Sequence, residues 1–407
     1  MTIEDRTVTF EVDDEDDPMW LDLDELKNEL EVATSAEEGE WDIRIVARRR
    51  STVVARVPAP PLGWTALQPV EGTGSVENAV QVSPDQLENG VLSLAVAADG
   101  TLSLGGAEGV GRLVDGGDEG DSYNFAPPAE DHLVEEPDEV RVSVIAEGPV
   151  RGVVSIVRSY RWSPAQVPVE VETTVELRAG EPFCRVRVSF ENPLSDHRLR
   201  FHVPLPREAR FSAAEGQFAV VERALEAEEG FGEVALPTFP AFGFVEAGGM
   251  AALLEYPTEY EVVEDGRELA LTILRSTGLI SRSAHAYRES PAGPEIAIPA
   301  AQCRGPWSIG FALYPHEGAW HEAGVLAELE RYLHPFLVAP GAALDGPTSA
   351  SGPELRGEGV VLSSLRIRGR RLEARLACEH PEPVHAQLDG TAIDLRPWEI
   401  RTVELAR

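Results

Sequence analysis

The chain has 407 residues, 43% of them hydrophobic, and carries 70 acidic against 35 basic residues for a formal net charge of −35. That length suffices for two or three domains with a sizeable core. A surface this acidic repels phosphate backbones and anionic lipid heads, which argues against nucleic-acid and membrane partners.

Residues 1–57 read as a small α/β unit. Thr7 to Val12 alternates like a strand. The acidic run Asp13 to Asp17 precedes Pro18, as suits the first turn of a helix. Leu23, Leu26, Leu30 and Ala33 continue at helical spacing, and Trp41 to Ala47 and Thr52 to Val57 alternate again. Pro58-Ala-Pro-Pro-Leu-Gly-Trp64 is a boundary, because such a proline cluster cannot continue a central strand.

Residues 58–340 form a long series of strand-like segments bounded by Gly, Pro, Asn or Asp. Gly90 to Val96 and Thr101 to Leu104 flank the hairpin signal Ala98-Asp-Gly100. Val140 to Ile145, Val150 to Arg161, Val169 to Arg178 and Phe183 to Phe190 follow. Leu199 to Pro204, Phe218 to Arg223, Met250 to Glu255 and Glu268 to Leu274 extend the series. With no helices between them, these predict a large antiparallel β-sandwich. One helix interrupts: Trp320, Ala323, Leu326, Leu329 and Leu333 fall on one face, and Pro335 ends the run. Residues 341–407 then comprise a Gly/Pro/Ser-rich linker to residue 359 and a small β domain built from Val360 to Ile367, Arg371 to Ala377, Val384 to Leu388 and Ile400 to Leu405.

Candidate chemistry is sparse. Cys184, Cys303 and Cys378 are far apart and form no Cys-x-x-Cys, so neither a disulfide framework nor a cysteine zinc site is implied. Nine histidines are present, but none lies two residues before an aspartate and no His-Glu-x-x-His occurs. His316/His321 and His380/His385 are spaced by five, which misses the register that puts two ligands on one helical face. No Gly-x-Ser-x-Gly elbow or phosphate-cradling glycine loop is present. We therefore expect no catalytic residue, no metal site and no cofactor bound by this chain. The start, Met1-Thr-Ile-Glu-Asp-Arg6, has no basic-then-apolar signal pattern, and no apolar run reaches membrane-spanning length, so a cytoplasmic location is expected.

The stretch least like scaffold is Asp115-Gly-Gly-Asp-Glu-Gly-Asp-Ser-Tyr-Asn-Phe-Ala-Pro-Pro128. Glycines permit positive φ, and Asp and Asn accept hydrogen bonds from their own turns. Such a loop can hold a phenol beside a groove, or serve only as a solvated turn. Its Asp115/Asp118/Asp121 set lacks the ordered ligand pattern of a calcium loop.

Five stretches together carry a family resemblance. They are Leu87-Glu-Asn-Gly-Val-Leu-Ser-Leu94 with Asp99-Gly-Thr-Leu102, Gly120-Asp-Ser-Tyr-Asn-Phe-Ala-Pro-Pro128, and Ala270-Leu-Thr-Ile-Leu-Arg-Ser276. Phe311-Ala-Leu-Tyr-Pro-His-Glu-Gly-Ala-Trp320 and Leu395-Arg-Pro-Trp-Glu-Ile-Arg-Thr-Val-Glu-Leu405 complete the set. In this order and spacing they resemble the C-terminal, non-catalytic half of glycoside hydrolase family 38, the α-mannosidases, across residues 58–407.

The resemblance implies a galactose-mutarotase-like supersandwich. It also implies a retaining mechanism run by zinc and carboxylates in an N-terminal α/β domain that this chain is expected to lack, since no His-x-Asp can be matched. The chain's partners would be that zinc catalytic domain and a mannose-containing saccharide. Tyr123 matches the position of a tyrosine that reaches the sugar, where a phenol can bind a hydroxyl and pack on an apolar face; it also reads as an ordinary turn aromatic. Arg275 reads either as the counterpart of an arginine that the family places near that tyrosine, or as a strand arginine paired with a carboxylate. Asp121 and Asn124 are expected to shape the loop, and His316 to lock a turn under Trp320. A stand-alone carbohydrate-binding sandwich and a truncated, inactive remnant remain as alternative readings.

Overall fold

The structure, a computed structural model, describes residues 2–4, 6–12, 23–35, 39–47, 53–68, 74–163, 165–230, 234–339 and 347–405. It divides into two compact units, Met1–Ala55 and Arg56–Arg407, and among the described residues no helix is long and apolar enough to cross a membrane.

In the first unit, strands Thr2–Glu4, Thr7–Val12 and Asp42–Ala47 form one sheet. Thr7–Val12 and Asp42–Ala47 pair in parallel, with helix Leu23–Thr34 in the connection, as parallel pairing requires a crossover. The acidic run at residues 13–17 lies outside the described residues. The strand expected over Thr52 to Val57 does not form among its described residues, 53–57. Its described part is irregular, and Val53 and Val54 are 74% and 55% exposed, so the alternation there finds no apolar face to bury.

The second unit is mainly β. One sheet has nine antiparallel strands in the order Glu139–Glu147, Arg151–Trp162, Val167–Arg178, Cys184–Asn192, Gly305–Pro315, Met250–Leu254, Phe244–Ala247, Phe211–Glu215 and Val220–Ala224. A second sheet orders Arg112–Gly117, His197–Pro204, Glu268–Arg275, Thr258–Val263 and Thr238–Ala241. Period-2 alternation builds the interior between them. Cys184, Val186, Val188 and Phe190 of one strand all turn inward. Phe201 meets Phe311 edge-on, with ring centroids 4.9 Å apart, joining the two sheets. A five-stranded meander from Gln81–Ser83 to Ala107–Val110 packs its leucines into the same core.

A second cluster, including Phe183, Phe244, Trp320, Leu329 and Tyr332, lies under the helix Val325–Leu333. The helix is shorter than its apolar spacing predicts. Gly324 takes a left-handed conformation, φ +65°, so Trp320 reaches the cluster from the preceding turn. The expected terminal sheet is two three-stranded sheets with a core of their own. The strand Thr391–Leu395 was not predicted, although Asp389-Gly390 before it is a strong hairpin-turn signal. Ser349–Ala350 pairs with Trp64–Thr65, tying the second linker to the end of the first.

Candidate functional site

The candidate site grows from the edge of the five-stranded sheet. Strand Arg112–Gly117 runs antiparallel to His197–Pro204, and their junction is anchored by a buried network. His197 Nδ1 lies 2.6 Å from Asp115 Oδ1 and His197 Nε2 lies 2.9 Å from Asn192 Oδ1. Burial pushes the Asp115 carboxyl up, opposed by the hydrogen bond to and charge of His197. Beyond Gly117 the chain leaves the sheet and turns back on itself through residues 118–126.

Two aspartates with no solvent exposure hold that turn. Asp118 Oδ1 accepts the N–H groups of Gly120 and Ala126 at 2.8 and 3.3 Å. Asp121 Oδ1 accepts those of Tyr123 and Asn124 at 2.9 and 3.2 Å. The sequence supplies these turns because a short carboxylate reaches backbone donors two or three residues on. Gly120 is required for a different reason: a Cβ there would meet the Asn124 carbonyl oxygen at 2.0 Å.

Buried carboxylates need countercharge, and it arrives from a distant segment. Arg275 donates from Nε to Asp118 at 2.6 Å and from a terminal nitrogen to the Asp121 carbonyl at 2.5 Å. Arg288 pairs with Asp121 Oδ2 and donates to Asn124 Oδ1 at 3.2 Å. The Arg282 N–H donates to Asp121 Oδ2 at 2.8 Å, and its Nε to the Gly120 carbonyl at 3.0 Å. Burial works to raise the Asp121 carboxyl, but the backbone donors of Arg282 and Tyr123 and the Arg288 side chain outweigh it and hold it below the ordinary carboxylate value.

This frame presents Tyr123 to solvent at 54% exposure. Its hydroxyl rests over Gly293, where a Cβ would approach to 3.1 Å. The Ser281 hydroxyl oxygen accepts the N–H groups of Ala292 and Gly293, which fixes that backbone. Phe125 lies beneath the Arg198 guanidinium, 3.3 Å from its ring centre. Burial, with the neighbouring Arg200, pushes Arg198 down to about 10. Tyr123, Asn124 and Phe125 border a groove of about 700 Å³ whose other wall includes Glu222, Glu226, Phe239 and Glu259. Such a surface can hydrogen-bond a hydroxyl through the phenol and pack an apolar face on its ring.

Of the residues singled out from the sequence, Tyr123 and Asn124 border the groove, while Asp121 lies in the turn beside it. The structure places Arg275 behind the loop: its side chain is 12% exposed and occupied by Asp118. His316 does not lie under Trp320. Its ring faces Tyr314 at 5.5 Å, while Trp320 meets Phe244, His321 and Trp398. Between them Gly318 takes a left-handed conformation, φ +75°. Sequence reasoning missed Ser281, Arg282, Arg288 and Gly293, which have no local signature, and the glutamate-rich wall, which reads as a solvated run. Among the described residues, no group of three or more His, Cys, Asp or Glu side chains is arranged to hold a metal ion.

Comparison with known proteins bears on the same region. Residues 87–279 match the family model described as the glycosyl hydrolases family 38 C-terminal domain. A Halalkalibacterium halodurans protein named "Putative mannosylglycerate hydrolase" is 25% identical over 215 residues, which is 50% of this chain and 22% of that protein. The structure of an α-mannosidase from Enterococcus faecalis V583 superposes with a TM-score of 0.68 at 19% identity, covering 83% of this chain and 44% of that one. A second Enterococcus faecalis structure, of a protein in glycosyl hydrolase family 38, gives 0.66 at 19% identity, covering 83% and 46%. At these identities the structural likeness concerns the fold, and the chain spans less than half the length of each relative.

Proposed function

We propose, from the match of residues 87–279 to the glycosyl hydrolases family 38 C-terminal domain, that the chain is the β half of an α-mannosidase-like glycoside hydrolase. In this reading it packs against a zinc-bearing catalytic domain, on the same or a separate polypeptide, and sets Tyr123 on the rim of the sugar site. The catalytic domain supplies the metal and the reacting carboxylates; the β half supplies shape and one phenol.

The observation that carries this reading is the treatment of Tyr123. Two fully buried aspartates and three arginines fix the backbone around it, yet the ring itself is more than half exposed beside a groove. An exposed phenol keeps both its ring face and its hydroxyl available to a ligand. Rigid support under an exposed phenol is what ligand positioning requires.

The test is hydrolysis of a chromogenic α-mannoside by the chain alone, by the chain with a family 38 zinc domain, and by the mixture with a chelator. The expected result is turnover only in the metal-replete mixture, with Tyr123→Phe lowering kcat/KM by roughly tenfold, the worth of one hydrogen bond. Turnover by the chain alone, or a mixture indifferent to Tyr123→Ala, would overturn the proposal.

A further inference from the structure

Two cores of the second unit meet at a seam, one under the helix Val325–Leu333 and the other inside the terminal domain. Trp398 reaches across from the terminal domain to stack on Trp320, and His380 meets His321 edge-on. Each side also brings a carboxylate to this closure. Glu379, next to His380, is 5% exposed. Glu215 lies beneath the helix: its Oε2 is buried without a hydrogen-bond partner, and a Cβ on Gly243 would meet that atom at 1.9 Å and Leu329 at 2.6 Å. Among the described residues, no arginine or lysine offsets either charge. The other charged groups nearby are engaged with one another: Glu330 with His334 at 3.2 Å, Glu328 with Arg331, and Glu399 with Arg396 and Arg401. Buried charge without countercharge is unfavourable. Parting the domains relieves it, because Glu379 then gains water and leaves the neighbourhood of Glu215 and Glu330.

We infer that the seam is a proton latch: the terminal domain docks on the sandwich while Glu379 and Glu215 are protonated, and is loosened when they ionise. The inference does not depend on the sugar reading. Burial, and then Glu330, push the Glu379 carboxyl up to about 7. Burial, and then Glu379 and Glu330, push Glu215 up to about 7. A carboxyl that holds its proton more tightly when docked than in water favours docking fully below its ordinary 4.5, and that advantage is lost as pH rises through about 7. From 4.5 to about 7, Glu379 alone shifts the docking equilibrium by roughly 300-fold. His321 and His380 act in the opposite sense, since two imidazolium rings repel only in acid. The two effects therefore separate along the pH axis.

The experiment is hydrogen exchange at the Trp320 indole, followed by proton–nitrogen NMR on the whole chain. Trp320 is 3% exposed and its Nε1 is buried without a partner, so its exchange reads the access of water to the seam. Trp162, 1% exposed in the main core, reports unfolding of the sandwich. In the parent at pH 8.5, Trp320 exchanges roughly tenfold or more faster than Trp162, as a local opening requires. In Glu379→Gln at that pH, Trp320 exchanges roughly 30-fold more slowly than in the parent, the full gain being reduced by the buried amide. At pH 5 the two rates lie within a few-fold of each other. Comparing the chains at one pH cancels the base catalysis of exchange. Glu215→Gln moves Trp320 in the same direction, and carries the test if Glu379→Gln does not fold. Trp320 exchanging in step with Trp162 would make the seam part of one cooperative unit and overturn the latch. So would a Trp320 rate at pH 8.5 that neither substitution slows.

Discussion

Glu379→Gln should stabilise the protein in alkaline solution and lose that advantage in acid. Glu379 follows strand Arg371–Cys378 of the terminal domain and is 5% exposed. It faces the seam with the large sandwich, where Trp398 stacks on Trp320 at 6.5 Å and His380 meets His321 at 5.0 Å. Burial, and then the like charge of Glu330 on the helix, push its carboxyl up to about 7. Glu215, at the end of strand Phe211–Glu215, is pushed up to about 7 as well, by burial, by Glu379 and by Glu330. One of its oxygens is buried without a partner.

A carboxyl whose folded value lies above its ordinary 4.5 binds its proton more tightly in the folded chain. The penalty on folding is therefore absent below about pH 4.5, grows with ionisation, and is complete above about pH 7. From 4.5 to about 7 this amounts to about 3 kcal/mol for Glu379. Glutamine keeps the shape, removes the charge and relieves Glu215 of one repulsion. The buried amide offsets part of the gain at every pH, so we expect about 2 kcal/mol of added stability at pH 8.5, a rise in Tm of roughly 3–6 °C, and no added stability below about pH 4.5. Calorimetry across that range decides it. Parallel pH profiles for variant and parent would refute the argument, and a variant less stable at every pH would mean that the carboxylate is engaged in a bond it cannot spare.

Three further outcomes follow from the loop and its supports. Asp121→Asn leaves Arg288, whose side chain is 3% exposed, without its buried countercharge; we expect a loss of about 3–5 kcal/mol at neutral pH, measured by denaturant unfolding. Because the parent Asp121 carboxyl lies below its ordinary value of 3.8, its contribution is present above that value and is lost as pH falls through the lower folded value, so the gap between parent and variant should narrow in strong acid. Gly100→Ala meets both a left-handed backbone, φ +80°, and the buried Arg158 side chain at 2.6 Å; a loss of roughly 2–4 kcal/mol is expected, and a neutral outcome would contradict the packing. Finally, Asn192 Nδ2 donates to the Cys303 carbonyl at 2.9 Å, which leaves Oδ1 to accept from His197. Proton–nitrogen NMR should therefore find His197 Nε2 protonated, and a ring protonated at Nδ1 alone would refute that assignment.

The sheets were legible because their signal is local. Alternation in Cys184–Asn192 and Val167–Arg178 maps directly onto inward and outward side chains. The turn chemistry of Asp118 and Asp121 was legible on the same ground, since each bonds backbone donors within eight residues. Where a local pattern met a local contradiction, the contradiction won: the helical stripe from Trp320 is cut at left-handed Gly324. What stayed hidden is what makes the loop rigid. Arg275, Arg282 and Arg288 reach it from 154 to 167 residues away in sequence. The placement of Arg275 is decided by the pairing of Glu268–Arg275 with His197–Pro204 and of that strand with Arg112–Gly117, and Arg282 and Arg288 follow in the segment after it. A chain with 70 acidic residues offers each arginine many partners, and the register of a three-strand stack brings Arg275 to Asp118 among them. The candidate site is thus a local turn made specific by a non-local sheet, and the sequence displays only the first of these.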